Sequence, residues 1–173
     1  MNKLNKILLA FFVTTAAGSV FAADANLNFT GQILAASCSV DSSSANQTID
    51  LGSAYVGTFA SVGSISNAKA FNINLNNCSA NAKVSMNVTG TMDSVVSVLK
   101  NTGSATGVGI QLLSASAVGS TTGTPITLNS TISVGTVNAS NAMTIPFAAQ
   151  FYRLGTMTAG SVTTTATVNF TYN

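Results

Sequence analysis

The sequence contains no histidine, no glutamate and no tryptophan. The commonest general bases are therefore missing, and so is the ring on which sugar-binding proteins stack their ligands. The four aspartates, Asp24, Asp41, Asp50 and Asp93, lie far apart, so a carboxylate pair for glycoside cleavage has few chances to form. With two cysteines and no imidazole, a metal set is not in view. Only 6% of the residues are charged, and no basic patch argues for nucleic acid or an anionic membrane. The expectation is a protein without catalytic, cofactor-binding or metal-binding residues, and not an enzyme. Isolated matches do not alter this. Ser66-Asn67-Ala68-Lys69 has a serine–lysine spacing that belongs on a helix, but it precedes a strand-like run. Gly103 and Gly107 share a helix-dimer spacing but lie in a polar loop. The Asn-x-Ser/Thr triplets, such as Asn28-Phe29-Thr30 and Asn87-Val88-Thr89, follow from composition. Tyr55 and Tyr152 read as core or edge aromatics.

What is present begins with an export segment. Lys3 and Lys6 give a basic start, Ile7 to Val13 is apolar, and Val20-Phe21-Ala22 supplies the small residues of a cleavage site. This predicts a signal peptide over residues 1–22, with Ala25 as a second cleavage point; the apolar run is short for a membrane span. Cleavage leaves about 150 residues, enough for one domain with a real core. It also removes two of the six positive charges, so that Lys69, Lys83, Lys100 and Arg153 balance the four aspartates and the net charge falls from +2 to zero. A surface this poor in charge is weakly protected against self-association. Cys38 and Cys78, an even pair behind a signal peptide, point to a disulfide.

The remainder alternates. From Ala25 to Ile33, Ala25, Leu27, Phe29, Gly31 and Ile33 interleave with Asn26, Asn28, Thr30 and Gln32. Further strands are expected at Thr48–Gly52, Phe71–Leu75, Val84–Val88, Gly107–Leu113, Ile126–Leu128, Ile132–Val134 and Met143–Arg153, with Pro146 near the start of the last, and Val95 to Leu99 is a short apolar run. Short strands about every ten residues, with no helical period, predict an all-β sandwich or barrel. From Val162 to Tyr172 every even position except Thr164 is apolar, and every odd one is Ser, Thr or Asn. That is one long strand, uncharged and free of proline, placed where another chain can pair with it unless it is covered.

Four features together resemble the pilin subunits of chaperone–usher fimbriae of the type 1 kind. Gly160 stands fourteenth from the end and Tyr172 is penultimate. Phe29-Thr30-Gly31 precedes Cys38. Cys38 and Cys78 have the family's spacing, with Phe71 to Leu75 leading into the second. Ile145-Pro146-Phe147-Ala148-Ala149 resembles the penultimate strand. The resemblance covers the whole mature chain and implies an incomplete immunoglobulin-like β-sandwich lacking its last strand, completed in trans by a donor strand. It implies a donor extension over residues 23–30, with Ala25, Leu27 and Phe29 facing the groove, and a pilin domain over 31–173. Gly160, Val162, Ala166, Val168, Phe170 and Tyr172 would form the groove met by neighbouring pilin subunits or a periplasmic chaperone. An outer-membrane usher would exchange the two, and the product would be an extracellular fimbrium supporting adhesion. The arm before Phe29 is short, which leaves rod subunit and tip adaptor both open. The alternatives are a small outer-membrane β-barrel, for which aromatics are few, and a self-contained secreted binding domain, for which no cluster of site residues stands out.

Overall fold

A computed structural model describes residues 27–173. The expected signal peptide, residues 1–22, and Ala23 to Asn26, including Ala25, lie outside the described residues. The chain divides into two units, Met1–Ile33 and Leu34–Asn173. In the first, residues 27–33 form no strand, and Leu27, Phe29 and Ile33 are exposed. The alternation expected from Ala25 to Ile33 is not realised as a strand there. A strand is a hydrogen-bonded object, and these residues have no ladder partner among the described residues.

The second unit is a sandwich of two antiparallel sheets. Its elements are β1 (Ser39–Val40), a short helix α1 (Ser42–Ala45), β2 (Ile65–Asn76), β3 (Lys83–Thr89), β4 (Val98–Lys100), β5 (Thr106–Ala115), β6 (Gly123–Pro125), β7 (Thr131–Thr136), β8 (Met143–Thr158) and β9 (Thr167–Tyr172). One sheet runs β1-β2-β8-β5-β4, with β6 also paired to β5; the other runs β7-β3-β9. Alternation builds the core between them. In β3 the residues Val84, Met86 and Val88 point inward and are fully buried. They face Val108, Ile110 and Leu112 of β5, and Ile145, Phe147, Ala149 and Phe151 of β8, in one cluster. Phe147 stacks on Phe71, their ring centroids 5.2 Å apart.

β5 and β8 are buried on both faces, so polar residues there must find partners. Gln150 Nε2 donates to Gln111 Oε1 at 2.7 Å, and Gln111 Nε2 donates to Ser97 Oγ at 2.9 Å. The β5–β8 register slips between Thr106 and Val108. Gly107 sits at that slip with φ +66°, and a Cβ there would strike the Thr156 carbonyl; only glycine fits such a bulge without strain.

Pro146 lies inside a central strand without cost to the ladder. Its partner Asn72 turns its carbonyl away from β8 to accept from Gln47 Nε2 at 2.8 Å. The pair is thus one that exchanges no hydrogen bond. On the other side the β5 ladder ends one residue earlier, at Ser114 and Phe147. The same α1 region caps the rest of the β2 edge: the Asp41 amide donates to the Asn74 carbonyl at 2.8 Å, and the Asn74 amide donates to Ser44 Oγ at 3.0 Å. Cys38 and Cys78 form a disulfide that ties the entry of β1 to the exit of β2.

Two expected strands are absent. Thr48–Gly52 is irregular, its turn held by Asp50 Oδ1 accepting from the Gly52 amide. Ile126 and Leu128 lie outside any strand although both are buried. Their amides donate to Leu112 and Val96 carbonyls in a connection that dips into the core. Ser66 and Lys69 flank an irregularity in β2, and Lys69 is exposed, so the serine–lysine spacing assembles nothing.

Candidate functional site: the open edge of the C-terminal strand

β9 is the last strand of its sheet and pairs with β3 alone. The register is Val84↔Tyr172, Met86↔Phe170 and Val88↔Val168. Lys83 and Asn173 exchange both backbone hydrogen bonds, at 2.7 and 3.0 Å. That reciprocal pair fixes the parity of the whole strand. Thr167, Asn169, Thr171 and Asn173 turn their N–H and C=O groups toward β3. Val168, Phe170 and Tyr172 turn theirs to the other side, where no strand lies among the described residues.

The expected strand from Val162 to Tyr172 is not continuous. Regular pairing begins at Thr167, because β3 ends at Thr89 and has nothing left to offer the residues before it. Yet those residues are not loose. The loop between β4 and β5 takes over as their partner. The Ala105 amide donates to the Ser161 carbonyl at 3.0 Å, and the Thr102 amide donates to the Thr163 carbonyl at 2.8 Å. The Thr163 amide donates to Asn101 Oδ1 at 2.8 Å, and the Ser161 amide donates to Ser104 Oγ at 2.9 Å. Ser161 returns the bond, its hydroxyl accepting from the Ser104 amide at 3.0 Å. The C-terminal segment thus starts against one sheet and finishes in the other.

The approach is close enough to need Gly160. A Cβ there would sit 2.5 Å from the Ala105 nitrogen and 2.8 Å from the Ser104 carbonyl carbon. Gly160 is not at positive φ, so contact and not conformational freedom is what it supplies. Val162, Val168, Phe170 and Tyr172 are half-buried against the core, and burial raises the Tyr172 phenol above its ordinary pKa of 10.0. Ala166 is exposed, at the crossing between the two sheets. Thr164, the break in the apolar alternation, is half-buried with the others.

Beside Gly160 the edge opens into a cleft of about 490 Å³, lined by Phe59, Val108, Phe151, Met157 and Val162. Tyr55 stands on its rim and is 86% exposed. That corrects the reading of Tyr55 as a packed aromatic: the loop Gly52–Phe59 runs outside the sheets and carries the ring into solvent. Tyr152 is half-buried opposite Ile65 on β2. Asn101, Thr102, Ser104, Ser161 and Thr163 carry no signal in a sequence where Ser, Thr and Asn are everywhere.

The family model described as fimbrial protein matches residues 27–173. The type-1 fimbrial protein A chain of Escherichia coli K12 is 33% identical over 159 residues, covering 84% of this chain and 82% of the relative. The fimbrial subunit type 1 of Klebsiella pneumoniae is 30% identical over 154 residues, covering 84% and 82%. Among solved structures, the Burkholderia pseudomallei antigen and type I fimbria protein superposes with a TM-score of 0.57 at 30% identity, covering 79% of this chain and 88% of that one. The P pilus rod subunit PapA superposes with a TM-score of 0.63 at 19% identity, covering 79% and 99%, a likeness of fold.

Proposed function

Because the chain belongs to the fimbrial protein family and is a structural subunit of a surface fimbrium, we propose that it polymerises by donor-strand exchange at the open edge of β9. The observation that carries this reading is the unpaired edge itself. A long, uncharged strand edge in a folded domain is an aggregation hazard unless a specific partner is meant to fill it. The partner is the arm of the next subunit. Its residues 23–30 add a strand along the edge whose open side runs from Val162 to Tyr172, eight residues taking up the free backbone groups of about eight positions, such as those of Val168, Phe170 and Tyr172. Ala25, Leu27 and Phe29 face the core in alternation.

The magnitudes favour the exchange. Leu27 and Phe29 are 76% and 90% exposed, and burying each is worth about 1.5–3 kcal/mol. Each main-chain hydrogen bond to the edge adds about 1 kcal/mol net. The donor and acceptor surfaces differ, so the contact is heterologous and propagates as an open filament. The same edge needs cover before assembly. A periplasmic chaperone strand supplies it, and an outer-membrane usher exchanges that strand for the arm, after residues 1–22 have directed export and been removed. The pilin domain spans 31–173. Support for adhesion follows from filament assembly, the family being one of fimbrial proteins.

Thermal unfolding of two forms tests the proposal. One runs from Ala23 to Asn173. The other lacks the arm and carries a copy of Ala23 to Ile33 after Asn173 through a flexible linker. The second form should melt far higher as a monomer while the first polymerises. Equal melting of two monomers would mean that the fold is complete without a donor.

A further inference from the structure

The loop Asn101–Ala105 does more than close the turn between β4 and β5. We infer that it pre-shapes the start of the acceptor edge, holding residues 161–163 extended so that an incoming strand meets Val162 from the same open side as Val168, Phe170 and Tyr172. The inference rests on the donor-strand reading and adds to it the positioning residues Asn101 and Ser104.

The argument is one of parity. Ser161 and Thr163 have both backbone groups engaged by the loop: the Ser161 amide by Ser104 Oγ, its carbonyl by the Ala105 amide, the Thr163 amide by Asn101 Oδ1, its carbonyl by the Thr102 amide. Thr102 Oγ1 donates a second bond to the Thr163 carbonyl at 2.9 Å, and Asn101 Nδ2 donates to the Ser161 carbonyl at 3.3 Å. In extended backbone the intervening residue points the opposite way. Val162 therefore turns its N–H and C=O to the open side, as Val168, Phe170 and Tyr172 do further along. Ser161 and Thr163 are tied inward by the loop, and Thr167, Asn169, Thr171 and Asn173 by β3. Val162, Val168, Phe170 and Tyr172 are left free on one side. β3 cannot do this for residues 161–163, because its pairing with β9 stops at Thr89↔Thr167.

Asn101 is arranged for this task. Its Oδ1 accepts from the Gly103 amide at 2.8 Å as well as from Thr163, and its Nδ2 donates to the Ala105 carbonyl at 2.8 Å. One carboxamide thereby sets the loop's shape and its grip at once. Gly103 lets the loop approach, since a Cβ there would meet Ser161 Oγ at 2.8 Å as well as its carbonyl. Without the grip, residues 160–166 would sample many conformations, and only the extended fraction accepts a donor. The apparent affinity and association rate fall by that fraction.

Stopped-flow fluorescence of the mature chain with a labelled peptide of sequence Ala23 to Ile33 tests this. Asn101→Ala and Ser104→Ala should each slow peptide association at least about five- to tenfold, the factor that goes with losing the one backbone-amide hydrogen bond each accepts from the segment, from Thr163 and from Ser161 respectively. Ser104→Thr, which keeps the hydroxyl, should restore the rate. Thr144→Val removes the hydrogen bond from Thr144 Oγ1 to Asn74 Oδ1 far from the edge; it controls for a general loss of stability and should leave the rate unchanged. Hydrogen exchange on the wild-type chain gives a readout that needs no variant: the Ser161 and Thr163 amides should be protected while that of Val162 exchanges freely. Uniform exchange across 161–163, or unchanged rates in both alanine variants, overturns the inference while leaving the donor-strand reading intact. Failure of the wild-type chain to take up the peptide overturns both.

Discussion

Replacing Gly160 by alanine separates contact from conformation, because the two predict opposite signs. Gly160 is outside the positive-φ region, so on backbone grounds alone alanine should stabilise by about 0.4–1 kcal/mol through a less flexible unfolded chain. The packing says otherwise. The added Cβ would lie 2.5 Å from the Ala105 nitrogen, 2.6 Å from Ser104 Oγ and 2.8 Å from the Ser104 carbonyl carbon. Two of these are backbone atoms and cannot swing aside, so the loop and the segment must separate. Separation breaks the reciprocal Ser104–Ser161 bonds and the Ala105–Ser161 bond, of 2.9, 3.0 and 3.0 Å. Three bonds at about 1 kcal/mol each outweigh the entropic gain and leave a net loss of about 2 kcal/mol. For a domain of this size that lowers the melting temperature by about 4–8 °C. The assay is thermal unfolding by circular dichroism in the form that carries its own donor strand, where polymerisation does not intervene. An unchanged or raised melting temperature would refute the steric argument and return Gly160 to the status of an ordinary loop glycine.

The double replacement Cys38→Ser with Cys78→Ser opens a loop of sequence separation 40 and should cost about 4 kcal/mol on the chain-entropy account, read as a lower denaturation midpoint and lower periplasmic levels. Phe170→Asp sets a carboxylate half-buried against the core beside Met86; the folded chain should no longer enter fibres, and normal fibres from cells expressing it would count against β9 as the acceptor. Hydrogen bonds from the Ser43 hydroxyl and amide hold the Asp41 carboxyl below its ordinary value of 3.8. A depressed carboxylate contributes stability that is present above that value and lost as pH falls through the folded one. Denaturant unfolding across that acid range should show this loss in the wild type and not in Asp41→Ala.

The period-two alternation was enough to identify β3, most of β5 and β8, and the inward set Val168, Phe170 and Tyr172. A strand with one buried face must alternate, and these residues do. The position of Gly160 and the cysteine pair carried the family resemblance in the same way. The alternation at Ala25 to Ile33 is as regular as that of β9, yet residues 27–33 form no strand, since a ladder partner is not encoded in the run that needs it. Ile126 and Leu128 read as a strand because they are apolar and spaced by two; both are buried, but in a connection whose amides reach sideways to β5 and Val96.

Local pattern therefore determined which residues seek the interior and which face of each strand they occupy. It could not determine where β9 begins, because that depends on how far β3 extends, through contacts between residues some eighty positions apart. Nor could it show that Asn101 and Ser104, two polar residues among dozens, hold the segment that β3 leaves behind. The open edge is likewise tertiary: any strand can pair on both sides, and only the order β7-β3-β9 leaves one side of the last strand without a neighbour among the described residues.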